Sequence, residues 1–252
     1  MPPELVLSNK KRNRWYAMLD IHAHILPTVD DGAKDIEESL ALLQRLKEQG
    51  ITDVVLTPHF NANMDNLDAF FELIKNTENQ LRETIKHKDL PNIHLGCEVR
   101  FFFGMGKCEK LRDFTLAGSD YLLVELSSFA PITKAVIKEI TELSENLDIV
   151  PIIAHIERCA HLRGFKKLMS LIGEEKILTQ VNAQSVAFDP LKKICIKLIK
   201  DGCVTFLASD CHSIDKRPPE FENAYNIIEK ECGSEYVTAL KQNSKQLKEE
   251  IC

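Results

Sequence analysis

The sequence predicts an α/β protein with parallel strands, because seven apolar strand segments alternate with helical segments along the chain. Apolar runs such as 54–56 and 204–208 show little alternation, which is typical of strands buried on both faces. Nearly every strand segment also ends in a side chain that can bind a ligand. A closed barrel brings all strand ends to one mouth, whereas an open sheet brings together only those near its switch point. The sequence therefore favours a closed barrel of seven strands.

Hydrophobic spacing predicts the order of the elements. The opening strand starts at Leu19, and the strands predicted after it are 51–56, 92–99, 121–126, 149–154, 177–181 and 203–208. Apolar residues recur at helical spacing in the segments between the strands, and Gly50 provides a stop after the first helix. The predicted helices are 35–49, 67–85, 133–147, 164–173, 191–200, 219–231 and 235–250.

The composition is that of an ordinary soluble globular protein, with 44% hydrophobic and 28% charged residues. A net charge of −6 argues against nucleic acid as the main partner, because duplex binding usually needs a basic face. A small phosphorylated substrate stays compatible with this charge, since it needs only a local cluster of cations or metals. No apolar run approaches the roughly 18–20 residues that span a bilayer, so an integral membrane protein is not expected.

The sequence also bears on the domain organisation and the cellular compartment. Residues 1–17 are basic and lack the apolar segment of a signal peptide, so we expect a poorly ordered N-terminal extension. A basic arm that touches a kinase or a membrane surface is the alternative. No linker or internal repeat divides residues 18–252, which we expect to form a single domain. Eight cysteines without a CxxC pair indicate free thiols in a reducing compartment, and so a cytoplasmic protein.

A pair of histidines in the opening strand is the first sign of a metal site. His22 and His24 are two residues apart, so in a strand both point to the same face and can grip one ion. Two surface histidines on a half-buried strand would give the same pattern. Ligand-type side chains recur at the later strand ends, however, and the full set is His22, His24, Asp31, His59, Glu98, Glu125, His155, Asp210 and His212.

This set of nine side chains exceeds what one zinc ion requires. Five of the eight histidines fall at strand ends, whereas His87, His94 and His161 lie in helical or loop contexts, where structural or solvated roles are expected. Mixed carboxylate and imidazole ligation suits manganese, iron or zinc. Two or three ions that share a bridging carboxylate would use the whole set.

Two arginines beside these residues point to phosphate chemistry. Arg158 lies three residues after His155, and Arg217 lies five after His212. A guanidinium group matches phosphate with two parallel hydrogen bonds, although a single arginine more often serves in a surface ion pair. Adjacent metal ions generate hydroxide at neutral pH and neutralise phosphoryl oxygens. The sequence thus predicts phosphoester hydrolysis with a metal-bound hydroxide as the nucleophile.

Cys211 and Arg217 also match the C-x5-R spacing of the cysteine-dependent tyrosine phosphatases. Such loops need small, glycine-rich residues, so that backbone N–H groups surround the phosphate. Here the intervening residues are HSIDK and two prolines follow. A thiolate mechanism is therefore not expected.

Six motifs resemble the PHP (polymerase and histidinol phosphatase) family, and within it the bacterial manganese-dependent tyrosine-protein phosphatases of capsule and exopolysaccharide loci. In chain order they are DIHAHILPTVDDGAKDIEESL at 20–40, TPHF at 57–60, GCEVR at 96–100, VEL at 124–126, AHIER at 154–158 and ASDCH at 208–212. The resemblance implies a distorted seven-stranded (β/α) barrel of the TIM type, with a trinuclear site of manganese ions.

The resemblance also implies how the side chains share the metals. Four of them would hold the first ion: His22, His24, Glu98 and Asp210. The same glutamate would bridge to a second ion, completed by Glu125 and His155. A third ion would be served by Asp31, His59 and His212. Two or three Mn²⁺ ions would be bound, with iron, zinc, cobalt or magnesium as substitutes.

Catalytic roles and departures from the family's pattern follow from the same resemblance. Arg158 and Arg217 match arginines around the substrate phosphate, and His59 is counted as catalytic as well as a ligand. The chain departs from the pattern at Cys211, at Ser213 and in the segment 101–106. The aromatic residues of that segment either line a slot for a tyrosine ring or belong to a buried or flexible loop.

The implied substrate is phosphotyrosine in a protein of capsule or exopolysaccharide biosynthesis, such as the C-terminal tail of a bacterial tyrosine kinase. Histidinol-phosphate phosphatase, which the same family contains, is the first alternative. A nuclease is disfavoured by the acidic charge. A non-catalytic metal-binding regulator of a kinase is the alternative from another class, although a degenerate copy would be expected to have lost some of the ligand-type positions.

Overall fold

The computed structural model describes residues 18–172, 177–188 and 190–251 of the chain. The expected N-terminal extension, residues 1–17, lies outside the described residues, as does the last residue of the helix predicted at 164–173. Among the helices in the described ranges, none has the length and apolar character needed to cross a membrane.

Strands and helices alternate along the described chain. The strands are β1 (Met18–Ala23), β2 (Ile51–Leu56), β3 (His59–Phe60), β4 (Asn92–Leu95), β5 (Glu98–Arg100), β6 (Tyr121–Glu125), β7 (Val150–Ile153), β8 (Leu178–Asn182) and β9 (Phe206–Ala208). The helices are α1 (Ile36–Glu48), α2 (Leu67–Ile85), α3 (Lys134–Leu147), α4 (Phe165–Met169), α5 (Ala183–Ala187), α6 (Lys192–Lys200), α7 (Phe221–Glu231) and α8 (Ser234–Ile251). This alternation confirms the predicted α/β class.

The strands form two parallel sheets, ordered β1-β2-β4 and β3-β5-β6-β7-β8-β9. The predicted strand 92–99 is interrupted, since residues 96–97 separate β4 from β5. A further short strand that was not predicted, β3, follows β2 after Pro58. Proline has no N–H to donate to a ladder, so the pairing of β2 cannot run through it. Its carbonyl instead accepts the Glu98 N–H at 3.1 Å, which begins the second sheet. A single seven-stranded ladder is therefore not formed by the described residues.

Backbone hydrogen bonds connect the chain after β9 to β1, although the two strands belong to different sheets. The Asp210 N–H donates to the His22 carbonyl at 2.8 Å, and the His24 N–H donates to the Cys211 carbonyl at 2.9 Å. Because every strand pair is parallel, the C-terminal ends of both sheets face one region of the protein.

Four segments of the described chain differ from the sequence-based prediction or were not covered by it. Residues 203–205 precede β9, because the Cys203 N–H still donates to the carbonyl of Leu198 at the end of α6. Helix α5 was not predicted, since five residues are too few to show helical periodicity. Residues 105–118, for which no element was predicted, form three short 3-10 helices. The helix predicted at 164–173 is shortened to α4.

Candidate metal centre

The first group of predicted ligands is His22, His24, Glu98 and Asp210, all of them buried. The two Nε2 atoms of His22 and His24 lie 3.1 Å apart. Glu98 Oε2 lies 3.2 Å from the first of these nitrogens and 3.3 Å from the second. Asp210 Oδ1 lies 3.4 Å from both. Four ligand atoms from strands β1, β5 and the end of β9 thus face one common point.

The spacing and the unmet hydrogen bonds of this group fit a metal ion. Five of the six distances between these four atoms are 3.1–3.4 Å. A regular tetrahedron with edges of that length has its centre about 2.0 Å from each corner, the usual bond length from zinc or magnesium to nitrogen or oxygen. Glu98 Oε2 and Asp210 Oδ1 are also buried without a hydrogen-bond partner among the described residues. Buried carboxylate oxygens are rarely left unpaired, so a cation is the expected occupant.

A second group forms around the other oxygen of Glu98. His155 Nε2 lies 2.7 Å from Glu98 Oε1 and 3.8 Å from Glu125 Oε1. Burial alone would raise the pKa of the Glu98 carboxyl, but its electrostatic interactions and hydrogen bonds with the neighbouring histidines outweigh burial and hold that pKa well below its usual range. Glu98 therefore stays ionised and links both groups, as the bridging role requires.

A third group lies on the open side of the cluster, where Asp31 Oδ1 is 3.4 Å from both His59 Nε2 and His212 Nε2. The other ring nitrogen of His59 lies 2.9 Å from Glu98 Oε2, because β3 and β5 pair these two residues in register. His212 Nε2 is buried without a hydrogen-bond partner in the described part of the chain. With this group, all nine side chains singled out from the sequence lie in one cluster.

Arg158 and Arg217 converge on the same carboxylate. Their Nη2 atoms lie 2.7 and 2.6 Å from Asp210 Oδ2, the oxygen that faces away from the first group. Both side chains are about a third exposed, at 33% and 30%. Each guanidinium has five N–H donors, so both can hold Asp210 and still offer donors to a ligand that arrives from solvent.

Two of the candidate ligands sit in strained backbone conformations. His155 has a φ of 31° and Asp210 a φ of 51°, in the left-handed region that non-glycine residues rarely adopt. At Asp210 the strain is held by Asp20, whose two oxygens accept the backbone N–H and the hydroxyl of Ser209 at 3.0 and 2.5 Å. Burial raises the pKa of Asp20 to about 6, against the hydrogen bonds from Ser209 that lower it. Strain of this kind concentrates at functional sites.

Three residues that support the cluster were not singled out from the sequence. Asp30 Oδ2 accepts hydrogen bonds from His24 Nδ1 at 2.7 Å and from the backbone N–H of His59 at 3.0 Å. Gln180 on β8 contacts His22, and Asn182 on the same strand donates to Asp210. Strand alternation would have placed these last two on one face, but an amide side chain carries no signal that distinguishes a support from a surface group.

Cys211 lies beside the cluster but is closed to chemistry. Its side chain is fully buried, and burial raises the pKa of the thiol far above its ordinary value. Because the thiolate is the reactive form, this environment opposes a nucleophilic role. The burial of this thiol gives no support to the C-x5-R spacing as a catalytic motif.

Comparisons with known proteins agree with this cluster. The family described as "Capsular polysaccharide synthesis, CpsB/CapC" matches residues 18–248. The tyrosine-protein phosphatase CpsB of Streptococcus pneumoniae is 34% identical over 229 residues, which cover 86% of this chain and 92% of the relative. The tyrosine-protein phosphatase YwqE of Bacillus subtilis is 29% identical over 239 residues, which cover 91% of each chain.

Solved structures match over most of the chain as well. A crystal structure from work on YwqE of Bacillus subtilis and CpsB of Streptococcus pneumoniae, described as unique metal-dependent tyrosine phosphatases, matches with a TM-score of 0.80, 27% identity and coverage of 93% and 96%. Histidinol phosphate phosphatase of Lactococcus lactis, complexed with zinc, L-histidinol and phosphate, matches with a TM-score of 0.56, 14% identity and coverage of 86% and 94%, and so shares the fold. The expected family is confirmed: the chain belongs to the capsular polysaccharide synthesis CpsB/CapC family.

Proposed function

We propose that this protein is a metal-dependent tyrosine-protein phosphatase, which hydrolyses the phosphate ester of phosphotyrosine in a protein substrate. The observation that carries the proposal is the buried first group, in which two carboxylate oxygens have no hydrogen-bond partner in the described residues and instead face ring nitrogens at 2.9–3.4 Å. The tyrosine-phosphatase activity expected from the motifs is confirmed by the family and by relatives that carry that name.

The donor chemistry supports two or three Mn²⁺ ions as the cofactor. Imidazole nitrogens together with carboxylate oxygens suit manganese, iron or zinc. The first ion would be held by His22, His24, Glu98 and Asp210; a second by Glu98, Glu125 and His155; and a third by Asp31, His59 and His212. Bound ions supply a nucleophile at neutral pH and neutralise the phosphoryl oxygens.

The chain's own groups bind and orient the phosphate. Arg158 and Arg217 are each anchored to Asp210 Oδ2, so their remaining N–H donors are held in fixed positions near the cluster. Preorganised donors of this kind stabilise developing charge without reorganising during the reaction. His59, which is 34% exposed, lies between Glu98 and Asp31 on the open side and would contact the incoming substrate as well as a metal.

The surface around the cluster supports a peptide substrate. Six large hydrophobic side chains of the described residues are exposed. Four of them lie on connections that directly leave the C-terminal end of a strand, and a fifth, Phe188, ends α5, the short helix that follows β8. We call these five the apolar rim: Met64, Phe103, Phe129, Phe188 and Ile214. Apolar side chains at the mouth suit a peptide with hydrophobic neighbours better than a small polar phosphate ester.

Phe103 of this rim and its neighbour Phe101 support a slot for a tyrosine ring. The rings of Phe101 and Phe103 pack edge to face with centroids 5.4 Å apart, and Phe103 is 68% exposed. An aromatic edge of this kind packs favourably against another ring.

The physiological substrate we propose is the phosphorylated C-terminal tail of a bacterial tyrosine kinase of capsule or exopolysaccharide biosynthesis, in the cytoplasm. The family description supports the link to capsule. The seven cysteines in the described ranges are all free, which supports a reducing compartment. An extended tail is narrow enough to enter a mouth surrounded by loops, whereas a folded phosphoprotein is not.

We further propose that residues 18–252 form one domain whose strand lines close into a distorted seven-stranded barrel. The hydrogen bonds between the end of β9 and β1 support closure, since they connect the first and last strands of the order. A family match that runs from residue 18 to 248 without a break supports a single domain.

The experiment that tests the function is phosphate release from a phosphotyrosine peptide by chelator-stripped protein, before and after Mn²⁺ is added. We expect no release when stripped and full activity on re-addition. Histidinol phosphate and the matching phosphoserine peptide serve as controls. Release that persists after verified stripping would contradict the metal mechanism, and turnover of histidinol phosphate in place of the peptide would contradict the substrate.

A further inference from the structure

Strand β8 supplies none of the predicted ligands, yet two of its side chains connect three of them. Gln180 and Asn182 are two residues apart and both buried, so they lie on one face of the strand. Gln180 Oε1 lies 2.8 Å from the backbone nitrogen of His155 and 3.2 Å from His22 Nδ1. Gln180 Nε2 lies 2.7 Å from Asn182 Oδ1, and Asn182 Nδ2 lies 2.5 Å from Asp210 Oδ2.

The chemistry of these contacts fixes the orientation of both amides. A backbone N–H only donates, so the Gln180 atom facing His155 must be the oxygen. Gln180 then donates through Nε2, and the atom of Asn182 that accepts must be Oδ1. Asn182 in turn donates through Nδ2 to Asp210. Only this orientation satisfies every donor and acceptor in the hydrogen-bond chain from His155 through Gln180 and Asn182 to Asp210. It therefore settles which amide atom is oxygen and which is nitrogen.

The direction of this hydrogen-bond chain has a consequence at each of its ends, His22 and Asp210. Because Gln180 Oε1 is an acceptor, the nitrogen of His22 that faces it must carry the proton, and Nε2 of the same ring keeps a lone pair that points into the first group. At the other end, Asp210 Oδ2 receives Asn182 together with two arginines. Its second oxygen, Oδ1, is left without a partner among the described residues and faces the ring nitrogens.

We propose that Gln180 and Asn182 are positioning residues of the metal centre, which set the ring-nitrogen state of His22 and direct Asp210 Oδ1 into the first group. The inference rests on the metal-binding part of the proposed function. Partners one shell away from a metal orient its ligands, and their loss typically weakens metal affinity by about 10–100-fold. A merely structural role would lower thermal stability without a selective effect on metal affinity.

The test compares Gln180→Met with Thr179→Val, using Mn²⁺ alone as the probe and stripped full-length protein. Gln180→Met keeps the side-chain length and removes all three hydrogen bonds of the amide group. Thr179 lies on the opposite face of β8, is equally buried and donates to the Cys203 carbonyl at 2.5 Å, so its variant controls for the loss of a buried hydrogen bond. We expect the Kd for Mn²⁺ by calorimetric titration to rise about 10–100-fold in Gln180→Met and to stay within about twofold in Thr179→Val.

Thermal unfolding of the stripped variants separates positioning from structure, since we expect similar midpoints for the two. Asn182→Ala provides a second variant if Gln180→Met does not fold, with an expected loss of about tenfold, because Asp210 keeps both arginines. Wild-type affinity in either folded variant would overturn the inference. Wild-type protein that binds Mn²⁺ but leaves phosphotyrosine intact would overturn the proposed activity, while the inference would still be decided by the affinities.

Discussion

Among the residues that the structure describes, two clusters of carboxylate and histidine differ in how fully their hydrogen-bond acceptors are paired with donors. The metal centre contains Glu98 and Asp210, each with an oxygen that has no hydrogen-bond partner in the described ranges. The second cluster surrounds Asp53 near the start of β2. Its Oδ1 accepts from His94 Nε2 at 3.2 Å and from Asn92 Nδ2 at 3.1 Å, while Oδ2 accepts from the Thr52 hydroxyl at 2.8 Å.

Lys248 of α8 completes the second cluster by an ion pair with Asp53 Oδ2. Both oxygens of Asp53 thus face hydrogen-bond donors, so this cluster attaches the last helix to the sheet and has no unpaired acceptor that would call for a cation. In the metal centre, acceptors face acceptors across about 3 Å, an arrangement that costs free energy unless a cation lies between them. Unpaired acceptors, rather than the presence of histidine beside aspartate, therefore distinguish a ligand site from a structural ion-pair cluster.

The largest effect is expected for Glu98→Gln, which preserves the shape of the residue that two of the candidate metal groups share. We expect a loss of kcat/KM on the order of 10³-fold or more, because the bridging charge is removed from the centre of the cluster. Calorimetric titration with Mn²⁺ should show weaker binding or a lower stoichiometry. Unchanged metal stoichiometry with full activity would show that Glu98 is not a ligand.

Asp53→Asn tests the other side, with an expected loss of stability and no loss of metal. Burial raises the pKa of Asp53, but hydrogen bonds from His94 and Lys248 outweigh it and lower that pKa below its usual range. A lowered pKa stabilises the fold above the unfolded-state value and loses that contribution as the pH falls through the folded-state value. Wild-type stability should therefore fall below about pH 4, and the variant should lack this fall.

Urea unfolding at pH 7 measures the size of the effect, which we expect to be about 1–3 kcal/mol for the loss of a buried, charged acceptor. Activity with Mn²⁺ and the Kd for Mn²⁺ should stay within about twofold of wild type, since the cluster is separate from the metal centre. Weaker metal binding in Asp53→Asn at unchanged stability would reverse the roles assigned to the two clusters.

The smallest effect is expected for Cys211→Ala, next to the metal centre. Its thiol is buried and has a raised pKa, so it neither binds metal nor attacks phosphate. Activity with Mn²⁺ should stay within about threefold, with a loss of about 1 kcal/mol in the free energy of unfolding from the small cavity. A loss of activity beyond 100-fold with metals still bound would restore the thiolate mechanism.

Local patterns were enough to predict much of this protein. Helix α2 and strand β2 begin and end at the predicted residues, because amphipathic spacing and an apolar run bounded by Gly50 and Pro58 are local signals. The nine ligand-type side chains were singled out for a similar reason, since each lies near or just after the C-terminal end of an apolar strand and parallel strands end on one side of a sheet.

Which of those side chains face each other depended on contacts between residues far apart in the chain. The interruption at Pro58 moves Glu98 from the ladder of β2 to that of β3 and so places it beside His59. Spacing within one segment carries no information about such a shift. The same applies to Gln180 and to His94, whose roles differ although neither residue type signals its role: one supports the metal centre, and the other pins a helix through Asp53.

The sequence thus supplied the elements, the ligand-type residues and the family, because these depend on residue type and near-neighbour spacing. Tertiary structure supplied the grouping of ligand atoms, the unmet acceptors and the direction of the Gln180–Asn182 chain. These depend on strand register and on distances of about 3 Å between side chains from different strands, which form only when the whole sheet is assembled.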